Sequence, residues 1–348
     1  MKSPHIWDKY SDQPYPIKEK TYKKRMRKKH IFDYIPLILT NIIIFPLSII
    51  IMKLFKSKDI DSREFYAMGV DLDKGDIQVE LIKELGVKHI LVRMPLWEMS
   101  RVDEYLSFVQ KFKGVKVLLN ILQDREHIED KELLQRDIEI IFAKFSPFIK
   151  EYQIGNAINR TKWGFFSMGE YLSFFETIQK IRDEKYPQLQ LIGSSVIDFE
   201  YHYTIRTLFN LFKVRYDKFS SLLYVDRRGS PDNKQMIIFD TKNKIDMLYA
   251  LVRLSPKSSN DIYITEVNWP LSGTAPYAPT SEKECVSEED YSKFMLRYLD
   301  IAKSSRKIKR VYWHQLIATG YGLVDNRDGK IRKREAFYAY QKLIREIK

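Results

Sequence analysis

From Phe65 onward, short apolar runs alternate with longer stretches in which apolar residues recur every three or four positions. A short apolar run bounded by polar residues reads as a buried strand, and the three-four spacing reads as a helix with one apolar face. Phe65–Asp71 is accordingly a strand. Asp76–Leu85 is a helix, with Ile77, Leu81, Ile82 and Leu85 on one face and Gly86 as its stop. The same reading makes strands of His89–Met94, Val115–Asn120, Tyr152–Asn156, Gln188–Ser194, Ser220–Val225, Ile262–Glu266 and Val311–His314. Between and after them it makes helices of Val102–Phe112, Leu133–Phe145, Met168–Asp183, Thr204–Phe212, Lys244–Leu254, Tyr291–Ala302 and Arg334–Ile347. Ser287-Glu288-Glu289-Asp290 has the form of a capping box ahead of the helix at Tyr291. Regular alternation of strand and helix over residues 65–348 predicts the α/β class, as a (β/α)8 TIM barrel, a fold of typically ~250 residues. An open doubly wound sheet would carry a Gly-rich turn after one of its strands, and no such turn is present.

The N-terminal part has a different pattern. Ile35–Met52 is apolar throughout except for Pro36, Thr40, Asn41, Pro46 and Ser48, about the minimum length for a membrane-spanning helix. No small-residue cleavage site follows it and a long polar region precedes it, unlike a cleavable signal peptide. The expected layout is a basic tail at 1–30, a transmembrane or membrane-anchoring helix at 31–55, a linker at 56–64 and the barrel at 65–348. Lys18 to Lys29 supplies eight positive charges upstream, against Lys53, Lys56, Lys58 and Arg63 downstream. Basic flanks stay on the cytoplasmic side. The bias therefore predicts a single pass, the N-terminus in the cytoplasm and the barrel on the periplasmic or extracytoplasmic side. A helix lying in the interface is the alternative, which Pro46 in mid-segment keeps open.

Composition narrows the chemistry. The single cysteine, Cys285, excludes an internal disulfide or a thiolate metal site, and the six histidines show no metal-ligand spacing. No cofactor motif is present. The net charge of +13 does not imply a nucleic-acid partner, because the densest basic run, Lys23–Lys29, abuts the apolar segment and the barrel adds no basic motif.

Chemistry in a parallel β/α barrel sits at the C-terminal ends of the strands. Ile262-Tyr263-Ile264-Thr265-Glu266 ends in a carboxylate that shares parity with Ile262 and Ile264 and is expected to enter the barrel mouth. Tyr152-Gln-Ile-Gly-Asn-Ala-Ile-Asn159 ends in asparagines and leads into Arg160-Thr161-Lys162-Trp163, two cations and an indole suited to an acidic sugar or phosphate, or simply a solvated basic loop. Arg93, Asn120, Tyr224, Trp313 and His314 also end strands, and of the last two only one can face the lumen. Asp71 and Asp198 are further polar strand ends, and Trp269 follows Glu266 closely enough to stack on a ligand or to pack.

Together these segments resemble strands four and seven of the retaining glycoside hydrolases of the large (β/α)8 clan that includes β-xylosidases and α-L-iduronidases. The resemblance covers residues 65–348. It implies that Glu266 is the nucleophile, that Arg93 holds it ionised, that Tyr224 hydrogen-bonds it, that Asn156 binds a sugar 2-hydroxyl and that Trp313 forms a sugar platform. It also puts Ala157 where the clan has its acid/base glutamate. Alanine can neither donate nor accept a proton, so an acid must come from elsewhere, with Asp198, Glu200 and His202 as candidates, or be missing. Two readings follow: a membrane-anchored glycosidase or transglycosidase acting on a cell-envelope or surface glycan, and an inactive glycan-binding barrel.

Overall fold

The computed structural model describes residues 5–57 and 59–347. Eight parallel strands close into a barrel in sequence order: Tyr66–Val70, His89–Pro95, Lys116–Leu122, Glu151–Ile154, Gln190–Ile197, Lys218–Leu222, Ile262–Ile264 and Arg310–Trp313, the last pairing with the first. Helices follow the strands around the outside, so the expected (β/α)8 barrel is the fold. Ser287 caps the helix Glu288–Ser305 by accepting the Asp290 N–H at 3.0 Å, the capping interaction its sequence anticipates.

Strand parity divides the core in two. Ala67, Leu91, Leu118, Ile192, Tyr263 and Tyr312 form a buried cluster inside the barrel, while their strand neighbours, among them Ile90, Val92, Ile262, Ile264, Val311 and Trp313, join the much larger layer between barrel and helices. The parity expected for strand seven is therefore corrected, since Ile262 and Ile264 face the helices. The strand ends at Ile264, and the irregular backbone beyond it turns Glu266 to the mouth. Gly69 at the top of strand one lies where a Cβ would meet Gln315 Cβ at 3.3 Å and His314 Nδ1 at 3.4 Å, so its small size admits both side chains.

The N-terminal region departs most from expectation. Residues 5–17 form a small hairpin, Trp7–Asp8 against Gln13–Pro14, seated on the barrel mouth. Gln13 donates to the Pro279 carbonyl at 3.0 Å, and Tyr10 packs edge-on against Tyr277. Helix Lys20–Lys29 buries Tyr22 and Met26 against Phe166, a residue of the loop after strand four. Helix Tyr34–Ile51 then packs along Tyr201–Leu208 and Thr241–Leu254, with Asn41 donating to the His202 carbonyl at 3.0 Å. This is one N-terminal helix long and apolar enough to cross a membrane. Both of its flanks touch the barrel, so the basic tail and the barrel pack against each other in this structure. Residues 1–4 of that tail, Lys58 of the linker and Lys348 lie outside the described residues.

Candidate active site

Glu266 is the centre of the constellation at the mouth. It is 8% exposed, and three donors from three strands converge on its carboxylate. Tyr224, just past strand six, donates its hydroxyl to Oε1 at 2.7 Å. Asn156, past strand four, offers Nδ2 to Oε2 at 3.3 Å, and Arg93, on strand two, makes a short ion pair with the same oxygen. Burial alone would raise the pKa of Glu266, but the Arg93 charge and the Tyr224 and Asn156 hydrogen bonds outweigh it and bring it down to about 2. The group is a carboxylate at any ordinary pH.

Arg93 is itself buried and anchored on the other side, its Nη1 donating to the Asp12 carbonyl at 3.3 Å with the Trp163 ring 5.9 Å away. His314 faces the lumen and stacks on Tyr321 at 5.4 Å. Burial, assisted by Arg93, drives its pKa down to about 3, so the imidazole is neutral. Asp12 contributes a second buried carboxylate from the hairpin. It accepts from Tyr321 at 3.0 Å and Gln315 at 3.1 Å, and pairs with Lys74 at 3.2 Å.

A cavity of about 200 Å³ opens beside Glu266, lined by Asp12, Gln13, Ala157, Lys162, Asp198 and Arg228 among others. Ala157 and Glu266 thus border the same cavity. The φ of Ala157, +44°, lies in the left-handed region, a conformation that costs any residue with a Cβ, alanine included, roughly 1–2 kcal/mol. Lys162 is pulled down to about 8 by burial, with Glu266 opposing and Arg160 reinforcing the shift, and its Nζ donates to Gln13 Oε1 at 2.5 Å. A second, more open groove of about 320 Å³ shares Lys162 and Trp163 with the first and runs past Trp7 and Trp97. Trp7 meets Trp97 at 5.3 Å and Trp163 at 5.8 Å, so three indoles wall the approach.

Several expected site residues are engaged elsewhere. Trp313 and Trp269 are wholly buried in the layer between barrel and helices and stack on each other at 5.9 Å, their indole nitrogens donating to Tyr291 and the Gly229 carbonyl. Neither can offer a face to a sugar. Trp313 shares the outward parity of Val311, which leaves His314 as the lumen-facing member of the pair. Arg160 is held by Asp198 at 2.6 Å and by Glu200, so its guanidinium is already occupied by carboxylates. Asn159 ties the same loop to strand five through Ile197 and Glu200. Asn120 is buried, does not line the cavity and donates to Asn156 at 3.2 Å. Asp71 accepts the Asp73 N–H in a tight turn, and His202 lies on a barrel helix against the apolar N-terminal helix. Of the alternative acids, only Asp198 borders the cavity that contains Glu266. Asp12, Gln13, Trp7, Trp97 and Arg228 were not legible beforehand.

The neutral, buried histidines give a stability prediction. His314 has an ordinary pKa of 6.5 and a folded value of about 3, and burial lowers His89 at the barrel floor to about 4. Between those values the unfolded chain binds more protons than the folded one, so stability falls as pH is lowered from about 6.5. Thermal unfolding followed from pH 7 to 4 should show this decline beginning above the carboxylate range, and His314→Gln should make it shallower, leaving the His89 share. The Glu266 contribution persists through that window and is lost only from about 4.5 down to about 2.

No protein-family model matches the chain, and no curated protein matches it. Solved structures do. The GH39 enzyme from Xanthomonas axonopodis pv. citri aligns with a TM-score of 0.58 at 13% identity, over 82% of this chain and 67% of that one. A GH39 β-xylosidase from Caulobacter crescentus gives 0.59 at 11% identity, over 83% and 73%. Saccharomyces cerevisiae Gas2p, in complex with laminaritetraose and laminaripentaose, gives 0.57 at 14% identity, over 84% and 66%. What this chain shares with them is the barrel fold.

Proposed function

We propose that this chain is a membrane-attached, glycoside hydrolase-like protein that acts on a cell-envelope or surface glycan, with Glu266 as nucleophile and Lys162 as the relocated proton donor. The observation that carries this reading is the Glu266 carboxylate. It is ionised, buried, fixed by Arg93, Tyr224 and Asn156, and open to a cavity at the C-terminal ends of the strands. A carboxylate held in that way loses little on attack, because its partners already orient it.

The reaction would run in two steps. Glu266 attacks the anomeric carbon, the glycosidic C–O bond breaks, and the departing oxygen takes a proton from the Lys162 ammonium. Water then attacks the glycosyl ester and gives its proton to the Lys162 amine, restoring the carboxylate. Lys162 borders the same cavity as Glu266 and Ala157, and with a pKa of about 8 it carries the proton at neutral pH. The groove walled by Trp7, Trp97 and Trp163 would hold the adjoining sugar units through their apolar faces.

Lys162→Met tests the assignment. Turnover of an alkyl glycoside should fall roughly 10²–10⁴-fold, while an aryl glycoside with a good leaving group should be affected much less. The loss of activity above about pH 8 should also disappear from the remaining turnover. Equal loss on both substrates would reject Lys162 as the donor and leave Glu266 untouched. The absence of any carboxylate at Ala157 favours a second reading, a barrel that binds glycan without cleaving it.

A further inference from the structure

The apolar N-terminal helix has two faces, and both are apolar. Ile44, Phe45, Ile49 and Ile51 pack on the barrel's helical layer. The outer side carries Ile35, Ile38, Leu39, Ile42, Ile43 and Ile50, each more than half exposed, with Leu47 also exposed between the last two. A helix that spans a bilayer alone is surrounded by lipid and buries neither face on a soluble domain. A helix at the surface of a soluble domain turns polar residues outward. This one does neither.

Two neighbouring features extend the surface. Loop residues Met236 and Ile237 are 64% and 87% exposed, and Met236 borders a groove shared with Leu37, Ile38 and Ile42. Immediately before the apolar helix, Lys20–Lys29 docks its Tyr22 and Met26 inward, leaving Lys24, Arg25, Arg27, Lys28 and Lys29 exposed. Contiguous apolar surface flanked by clustered cations matches the two layers of an anionic lipid leaflet, acyl chains and headgroups. A water-soluble protein partner would not call for the cation cluster beside the apolar stripe.

We infer that the chain docks on one leaflet of an anionic bilayer, with the exposed face of Tyr34–Ile51 and the Met236–Ile237 loop inserted and the basic helix at the headgroups. The helix lies in the plane of the membrane, and the N-terminal hairpin and the barrel stay on the same side. This deepens the membrane attachment proposed above by adding its mode and a second point of insertion.

Two measurements on the full chain test it. In flotation with vesicles of phosphatidylcholine and phosphatidylglycerol, the protein should float with the lipid. It should float less with phosphatidylcholine alone, and high salt should weaken binding to the anionic vesicles. Ile43→Asp combined with Ile237→Asp should cut the bound fraction at least about tenfold with an unchanged melting temperature, because both side chains point away from the fold. Equal flotation of this variant would overturn the inserted surface. Failure of the unaltered chain to bind any vesicle would overturn membrane attachment as a whole. For topology, Lys9→Cys and Lys283→Cys are placed singly in a Cys285→Ser background and exposed to an impermeant maleimide in intact spheroplasts. Both should react, or both should react only after lysis. If one reacts and the other does not, the helix crosses the bilayer and the in-plane mode is wrong, while attachment itself stands.

Discussion

Replacing Glu266 with glutamine is expected to abolish turnover of every glycoside the chain accepts, by on the order of 10⁴-fold or more, the scale seen when a nucleophile is removed. Glutamine keeps the shape and can still accept from Tyr224, but it cannot form the glycosyl ester. It also leaves the Arg93 guanidinium buried without a counter-charge, so the melting temperature should drop as well. Glu266→Asp separates the two effects. It retains the charge beside Arg93 while withdrawing the carboxylate by one methylene, so stability should largely return and turnover should not. If Glu266→Asp or Glu266→Gln turned over activated glycosides at the rate of the unaltered chain, Glu266 would be a structural ion-pair partner and nothing more.

The second large effect is expected at Asp12, about 250 residues away in sequence and on the other side of the apolar helix. Its carboxylate is paired with Lys74 and accepts from Gln315 and Tyr321, and its carbonyl receives Arg93. Asp12→Ala removes one partner of a largely buried pair and leaves Lys74 and the Gln315 amide uncompensated, a cost of about 3 kcal/mol. Thermal unfolding should register a drop of several degrees, and glycan affinity should fall with it, because the same hairpin supplies Gln13 to the cavity wall and Trp7 to the groove. A melting temperature and affinity both unchanged would mean that the hairpin does not occupy the barrel mouth in solution.

The contrast between those two carboxylates shows what was legible in the sequence. Arg93, Tyr224 and Glu266 announce themselves because each ends an apolar run, and strand ends in a parallel barrel converge on one face. Local pattern carries that information, and the structure gathers the three within hydrogen-bond reach. Parity carried it less far. On strand seven the regular alternation stops at Ile264, so Glu266 reaches the mouth although its same-parity neighbours face outward. On strand eight the register puts Tyr312 and His314 in the lumen, so the large Trp313 that looked like a sugar platform is wall packing. Arg160 looked free because its partners, Asp198 and Glu200, come from the next loop, which no spacing rule connects to it. The N-terminal hairpin was illegible for a deeper reason. Its strands are two residues long, with no periodicity to detect, and they persist only through contacts with distant loops such as Gln13 to Pro279.

The apolar helix was legible as a helix of this length, but its packing on the barrel was not. Hydropathy averages over both faces, so it detects that the segment is apolar without detecting that one face is already occupied. The uneven basic flanks then suggested opposite sides of a membrane for two segments that the fold brings into contact.

Intact mass spectrometry on the purified chain, incubated with aryl glycosides carrying a good leaving group, tests the central claim most directly. With the matching sugar, a mass increase of one glycosyl unit should appear, map to the peptide containing Glu266, and be absent from Glu266→Gln. If a glycan binds measurably in the cavity beside Glu266 and no glycosylated protein accumulates under any of these conditions, with no turnover to account for its absence, Glu266 is not a nucleophile and the barrel is a glycan-binding one.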